Sequence, residues 1–281
     1  MNKCAFCIPI YPLHYKFGNH ILESLKDSDA DLYFIFTTVE EKNLFCDMYR
    51  DYDYFKYLIL KDFTSLDIVE KTRSFVSIKK LYSLLSLYNK YEYISCIDSE
   101  INFLINKNFY NMMKDLVDQK TIFGGKILDH MSEENIIKQS IYQLTPPEDH
   151  QKLYELSCKN KVYTWWSNIP VYDCKIAKQF LDWINFKFDT LHRFDWHVFD
   201  DFIYNYYCLL YHNYKLNILD DVHHSLEFAN SVVYEKLNKI YWVNKKAYLQ
   251  NPSYYHSNNY YIIYHVDRSY FPDFNKSYSS V

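Results

Sequence analysis

An apolar run ends in two carboxylates in the stretch Tyr93-Ile94-Ser95-Cys96-Ile97-Asp98-Ser99-Glu100. At i and i+2 of an extended chain, Asp98 and Glu100 project toward the same side. Their hard oxygens form a site suited to Mg²⁺ or Mn²⁺, cations that keep positions open for a diphosphate. Charge in so apolar a stretch is costly unless it is paired or bound to metal. The same residues also suit a solvated turn between a strand and the element after it.

Three further groupings carry polar chemistry. Asp200 and Asp201 follow the Trp196-His197 turn and open a helical stretch, where the helix dipole favours charged carboxylates. An acidic first turn is also an ordinary helix start. Trp165, Trp166 and Asn168 lie in Tyr163-Thr164-Trp165-Trp166-Ser167-Asn168. An aromatic face stacks on the C–H face of a sugar and an amide bonds its hydroxyls, although a Trp pair serves a core equally well. In a strand, adjacent Trp165 and Trp166 point opposite ways, so at most one lines a site. Cys4-x-x-Cys7 has metal or redox spacing, but no second Cys/His pair follows at zinc spacing. The run Ala5-Phe6-Cys7-Ile8 reads instead as buried strand.

The elements that must position these groups alternate. Residues 3–10, 32–38, 57–60 and 91–97 read as strands, the first two being continuous apolar runs of the kind buried in parallel sheets. Residues 19–25, a stretch after Glu40-Glu41 with Leu44, Phe45 and Met48, and 74–88 read as helices between them. In 74–88 the apolar positions Phe75, Ile78, Leu81, Tyr82, Leu85 and Tyr88 follow a 3.6-residue period. Such alternation implies an α/β sandwich with a mainly parallel central sheet, whose ligands sit at the carboxyl ends of the strands. The ends in question are Pro9–Pro12, Thr37–Val39 and the residues after Ile97.

Beyond residue 106 the pattern is less regular. Residues 107–118 read as a helix capped by Asn108, and 122–127 as a strand whose Gly124-Gly125 marks a close approach or a sharp turn. Residues 130–160 read as surface helix and loop. Residues 161–166 and 260–265 read as strands, and 173–186 and 196–211 as helices, the last capped by Asp195. No repeat or linker is visible, so 1–281 reads as one domain.

Composition removes several classes. With 281 residues, 49% hydrophobic and 23% charged, the chain has ample material for one large core and no disordered tract. A net charge of -4 leaves no basic excess of the kind a phosphate-neutralising nucleic-acid binder carries. Only 3 glycines are present, which rules out the G-x-G-x-x-G loop, the P-loop and the G-x-S-x-G elbow. Aromatics reach 20%, a level that an AT-rich genome explains more simply than sugar-stacking platforms do. The 7 cysteines are scattered, and the N-terminus has no apolar run long enough for a signal or a membrane span. The chain therefore reads as reduced and cytoplasmic.

An apolar strand closed by Asp98-Ser99-Glu100, about ninety residues into an α/β unit whose first strand ends in Cys7-Ile8-Pro9-Ile10-Tyr11-Pro12, resembles the GT-A glycosyltransferases. The resemblance covers residues 3–125 most clearly and 160–268 loosely. It departs from the commonest motif in having Glu100 where a second Asp is usual. It implies a GT-A-like three-layer sandwich, with a donor-binding half at about 1–125 and an acceptor-binding half at about 126–270. It also implies a nucleotide-diphosphate sugar as donor, UDP-linked, a glycan acceptor, and Mn²⁺ or Mg²⁺ as cofactor. On this resemblance Pro9 and Tyr11 lie against the nucleotide, and Thr37, Arg73, Lys79, Asp98 and Ser99 complete the donor site, with Lys80 in the same basic helix. Asp98, Glu100 and a histidine hold the metal, His265 at the end of the strand 260–265 being first choice and His223, His224 and His256 competing with it. Asp201, or else Asp200, deprotonates the acceptor hydroxyl with inversion, retention being the alternative where no base stands on that face, and Trp165, Trp166 and Asn168 face the acceptor.

Two other classes use the same residues. Asp98, Glu100 and His265 also suit a metal-dependent phosphoesterase or nuclease, against which stand the missing second ligand cluster and the missing basic surface. A non-catalytic glycan-binding module would rely on the aromatics alone. The expected partners are a sugar nucleotide and a glycan, not nucleic acid, in a monomer or homodimer without a transmembrane segment.

Overall fold

The computed structural model describes residues 2–60, 75–99, 101–105, 108–126, 131–159, 162–163, 170–186, 200–219, 240–244 and 261–265. Strand β1 (Cys4–Pro9) leads through a tight 3-10 turn at Pro12–Phe17 into α1 (Gly18–Leu25). Then come β2 (Ala30–Phe36), α2 (Val39–Met48), β3 (Phe55–Ile59), α3 (Phe75–Leu87) and β4 (Tyr93–Cys96). Strand β5 (Ile101–Ile105), α4 (Phe109–Asp118), β6 (Thr121–Lys126), α5 (Met131–Leu144) and α6 (His150–Tyr154) follow. The remaining elements are β7 (Val162–Tyr163), β8 (Val171–Asp173), α7 (Cys174–Trp183), α8 (Asp200–Tyr211), β9 (Lys215–Leu219), β10 (Ile240–Asn244) and β11 (Tyr261–His265).

The fold is α/β with a mainly parallel central sheet of order β3-β2-β1-β4-β8. Strands β1 to β4 pair in parallel, and β8 joins β4 antiparallel. Strand β1 is buried along its whole length because both faces are covered. Ala5 and Cys7 enter one core, with Ile78, Leu81 and Tyr82 of α3 and Phe180 of α7. Phe6 and Ile8 enter the other, with Ile21 and Leu22 of α1, Phe45 of α2 and Met112 of α4. This two-sided burial is why the strand lacks polar alternation.

Helix ends follow the side chains available. Thr38 caps α2 by accepting the Glu41 N–H at 3.2 Å, while the Glu41 carboxylate reaches back to the Thr37 N–H at 2.8 Å. Asn108 caps α4 as expected, and the Asp29 carboxylate also accepts the N–H groups of Phe109 and Tyr110. Asp173 caps α7 through the Lys175 N–H. On α2 only Phe45 turns inward, and Leu44 and Met48 are exposed, so the expected apolar face of that helix is one residue wide. Gly18 is forced by space, since a Cβ there would come within 2.7 Å of the Tyr49 ring and 2.8 Å of the Phe45 ring.

Two small sheets were not foreseen in the sequence, one of order β10-β11-β5 and one of order β7-β6-β9. Gly124 and Gly125 lie inside β6 between β9 and β7, and neither has a positive φ. Both therefore lie within a strand and not in a turn. Many of the aromatics fill the interior: Phe34, Phe36, Phe45 and Phe55 form one ring cluster, and Tyr172, Phe180 and Tyr204 another. All seven cysteines are free thiols, six of them buried, which agrees with the strand reading of Cys4 and Cys7. Among the described residues no helix is long and apolar enough to cross a membrane.

Candidate active site

The carboxyl ends of β1, β2 and β4 lie at one edge of the sheet because these strands run parallel. The last ladder bond of β4 is Ile97 N–H to Cys7 C=O at 3.1 Å, after which the chain leaves the sheet at Asp98 and Ser99. Asp98 Oδ1 pairs with Lys80 Nζ of α3 at 3.1 Å. The Lys80 side chain is only 8% exposed whereas that of Asp98 is 43% exposed, so the ammonium is buried and the carboxylate opens outward.

Lys80 also faces the two acidic residues that open α8. Burial by itself would lower its pKa, but Asp98, Asp200 and Asp201 outweigh burial and hold it well above the usual lysine value. Asp200 is bonded, its Oδ2 accepting the Tyr172 hydroxyl of β8 at 2.5 Å. Burial raises its pKa against the opposing pull of Lys80 and Tyr172. Asp201 is 9% exposed, and its Oδ1 is buried with no hydrogen-bond partner among the described residues. Burial, helped by the neighbouring charges of Asp200 and Asp98 and opposed by Lys80, pushes Asp201 from 3.8 to about 7. Three carboxylates drawn from two elements thus share a single ammonium.

Lys79, the adjacent residue on α3, does something else. Its ammonium donates to the Ile10 carbonyl at 2.6 Å and stands 3.9 Å from Glu41 Oε2. Burial brings it down to about 8, despite the pull of Glu41. Since Glu41 also holds the Thr37 N–H, Lys79 ties the ends of β1 and β2 together from below. Pro9 is the last residue of β1 and buried, and Thr37 is 9% exposed. Tyr11 is half-buried, and its hydroxyl meets His14 Nε2 at 2.5 Å. His14 Nδ1 in turn meets Ser99 Oγ at 2.7 Å.

The structure therefore brings Asp98, Asp200 and Asp201 around Lys80, and brings Tyr11 and Ser99 together through His14. Arg73, Glu100, Trp165, Trp166 and Asn168 lie outside the described residues. His265 is described in its backbone alone, where it stands opposite Ile101 in the β11–β5 ladder, next in sequence to Glu100. Among the described residues no three His, Cys, Asp or Glu side chains converge closely enough to hold a metal ion. Of the expected ligands, Asp98 alone has a described side chain, an outward carboxylate already paired with Lys80.

Sequence reading gave His14 no role, and gave Lys80 only a place with Arg73 and Lys79 among the basic residues near the donor. Lys80 had a signal, being a basic residue in an otherwise apolar helix. His14 sits in a short turn and finds its partner 85 residues away, so no local pattern marks it.

No known protein family matches the chain, and no curated protein matches it in sequence. Solved structures similar to it include Staphylococcus aureus TarS 1-349 in complex with UDP, with 12% identity, 78% of this chain covered and a TM-score of 0.37. The chain spans 58% of that TarS chain. Mouse xyloside xylosyltransferase 1 is similar with 10% identity over 95% of this chain and 98% of that one, at a TM-score of 0.42. The Saccharomyces cerevisiae mannosyltransferase Ktr4p is similar with 13% identity over 68% of this chain and 60% of its own, at a TM-score of 0.35.

Proposed function

We propose that the protein is a metal-dependent glycosyltransferase that moves a sugar from a UDP-linked donor to a hydroxyl of a glycan, with inversion. The observation that carries the reading is the arrangement of Asp98, Lys80, Asp200 and Asp201 at the carboxyl edge of a parallel sheet, where ligands of such folds bind. Asp98 is the described member of the cation site, with Glu100 and His265 as its expected companions. A bound Mn²⁺ or Mg²⁺ would neutralise charge on the departing diphosphate. Pro9, Tyr11 and Thr37 lie where the donor nucleotide would rest, and Trp165, Trp166 and Asn168 are proposed to face the acceptor.

Asp201 is the proposed base. A carboxylate raised to about 7 is far more basic than an exposed one, and its Oδ1 has no partner among the described residues to compete with a hydroxyl. Asp200 is less suited because Tyr172 already occupies one of its oxygens. Lys80 keeps the pair from being neutralised outright, since its charge pulls both carboxyl groups back toward ionisation.

The test is calorimetric titration of UDP into the protein with Mn²⁺ and again with EDTA, followed by a panel of sugar nucleotides. Binding that requires the metal and is lost in Asp98→Ala and Glu100→Ala is the expected result. Failure to bind UDP, GDP or CMP under either condition would overturn the reading in favour of a hydrolase or a binding module.

A further inference from the structure

We infer that Lys79 and Glu41 form a clamp on the carboxyl ends of β1 and β2. On the transferase reading, on which the inference rests, both are positioning residues for the donor nucleotide. The clamp stands where the ladder between the two strands stops. Pairing runs in register from Cys4 opposite Ala30 to Pro9 opposite Ile35. The bond from Ile10 N–H to Ile35 C=O follows at 3.2 Å. Bonds of a parallel ladder are evenly spaced along the strands, so the next in this register would join Thr37 N–H to Ile10 C=O. Each of those groups is instead taken by a side chain. Ile10 C=O accepts from Lys79 Nζ at 2.6 Å, and Thr37 N–H donates to Glu41 Oε2 at 2.8 Å. Lys79 Nζ and Glu41 Oε2 stand 3.9 Å apart and close the bridge.

Two side chains, one from α3 and one from α2, thus stand in the place of a ladder bond. That exchange is costly, because Lys79 is 1% exposed and a buried ammonium needs pairing and hydrogen bonds to be tolerated. A ladder bond would satisfy the same two backbone groups without burying a charge. What the clamp adds is control over the direction in which each strand end leaves the sheet, Ile10 toward Tyr11 and Thr37 toward Thr38. Tyr11 and Thr37 are two of the residues proposed to meet the nucleotide. The Glu41 arm is itself fixed, its N–H donating to Thr38 Oγ1 at 3.2 Å and its C=O accepting the Tyr15 hydroxyl at 2.8 Å. With its ammonium buried against backbone, Lys79 acts on a nucleotide through these strand ends and not by contact. Lys80 beside it differs, since its partner Asp98 is 43% exposed.

The experiment is calorimetric titration of UDP, in Mn²⁺, with thermal melting of every protein. The proteins are wild type, Lys79→Met, Glu41→Ala, Glu41→Gln and the double variant Lys79→Met/Glu41→Ala. Lys79→Met and Glu41→Ala each release one end of the clamp. Each is expected to weaken UDP binding on the order of ten-fold, within the range for changes that act through a packed network. The double variant is expected to lose no more than the worse single, because a clamp already open has no second contribution to lose. Glu41→Gln keeps an oxygen for Thr37 N–H and is expected to stay close to wild type. Affinity is read on folded molecules well below the melting temperature, so a purely stabilising role would lower melting and leave affinity unchanged. If Lys79→Met does not fold, Glu41→Ala carries the same test from the other end. A folded Lys79→Met, or Glu41→Ala in its place, that binds UDP like wild type overturns the inference. So do additive losses in the double variant, and so does a Glu41→Gln as weak as Glu41→Ala. A wild type that binds UDP beside unaffected variants removes only the role of the clamp. A wild type that does not bind UDP removes the transferase reading, and the inference with it.

Discussion

The Tyr172 hydroxyl donates to Asp200 Oδ2 at 2.5 Å, so that of two adjacent acidic residues one is anchored and the other, Asp201, retains a buried oxygen without a partner among the described residues. This asymmetry separates the pair chemically. Replacing Asp201 by Asn keeps the shape but removes the basic oxygen. Turnover should fall by roughly two to four orders of magnitude, the usual scale for loss of a general base, with UDP affinity unchanged. Asp200→Asn can still accept from Tyr172 and should lose far less. Steady-state rates paired with UDP calorimetry decide the matter, and equal losses in both variants would remove the distinction.

Tyr172→Phe tests the anchor itself. Tyr172 is 1% exposed, so the change strands a buried carboxylate oxygen without giving it to water. Such a loss costs about 1–3 kcal/mol, which urea denaturation will register as a lower midpoint at constant slope. A midpoint equal to wild type would mean that another group takes over the oxygen.

How much of this was legible in the sequence depends on the length and reach of each element. Strands β1 and β2 announced themselves as apolar runs because both of their faces are covered. The helix at 74–88 declared its inner face through Ile78, Leu81 and Tyr82. Strand β8 has three residues after Pro170 and pairs antiparallel, too short for any period to be seen, yet it delivers Tyr172 to Asp200. Lys79 and Lys80 looked alike as neighbours on a basic helix. Only packing separates them, because a helical step of about 100° turns one ammonium toward Ile10 and the other toward Asp98. The link from His14 to Ser99 joins two loops distant in sequence, which the parallel β1–β4 pairing brings side by side.

Asp201 gives the metal-free protein a characteristic pH dependence. Its pKa is about 7 in the fold against 3.8 when free, so between these values the folded chain holds a proton that the unfolded chain has lost. This group's contribution to stability is therefore fully present below pH 3.8 and lost as pH rises to about 7. Asp200 shifts in the same direction and adds to the slope. Urea midpoints measured in EDTA from pH 4.5 to 7.5, a window chosen to span about that range, should decline with pH more steeply in wild type than in Asp201→Asn. Parallel slopes would show that Asp201 does not titrate there.

Lys80 is the last and sharpest case, because one ammonium offsets three carboxylates. Lys80→Met keeps most of the stem and deletes the charge. Asp98 can turn to solvent, being 43% exposed, but Asp200 and Asp201 are buried and are left facing each other uncompensated. Removing one partner of a buried ion pair costs about 3–5 kcal/mol, and part of that cost can be relieved by protonation. Lys80 lowers the pKa of both acids, so its loss must raise them further. The destabilisation should therefore be large at pH 8, where ionisation is forced, and smaller at pH 5, where both groups hold protons. In turnover, the ascending limb of the pH profile should move upward, because the base has to lose a proton it now holds more tightly. Lys80→Arg, which keeps the charge, should show neither effect to the same degree. A destabilisation of Lys80→Met that is the same at pH 5 and pH 8 would assign Lys80 to packing, since only a charge effect follows the protonation of its partners.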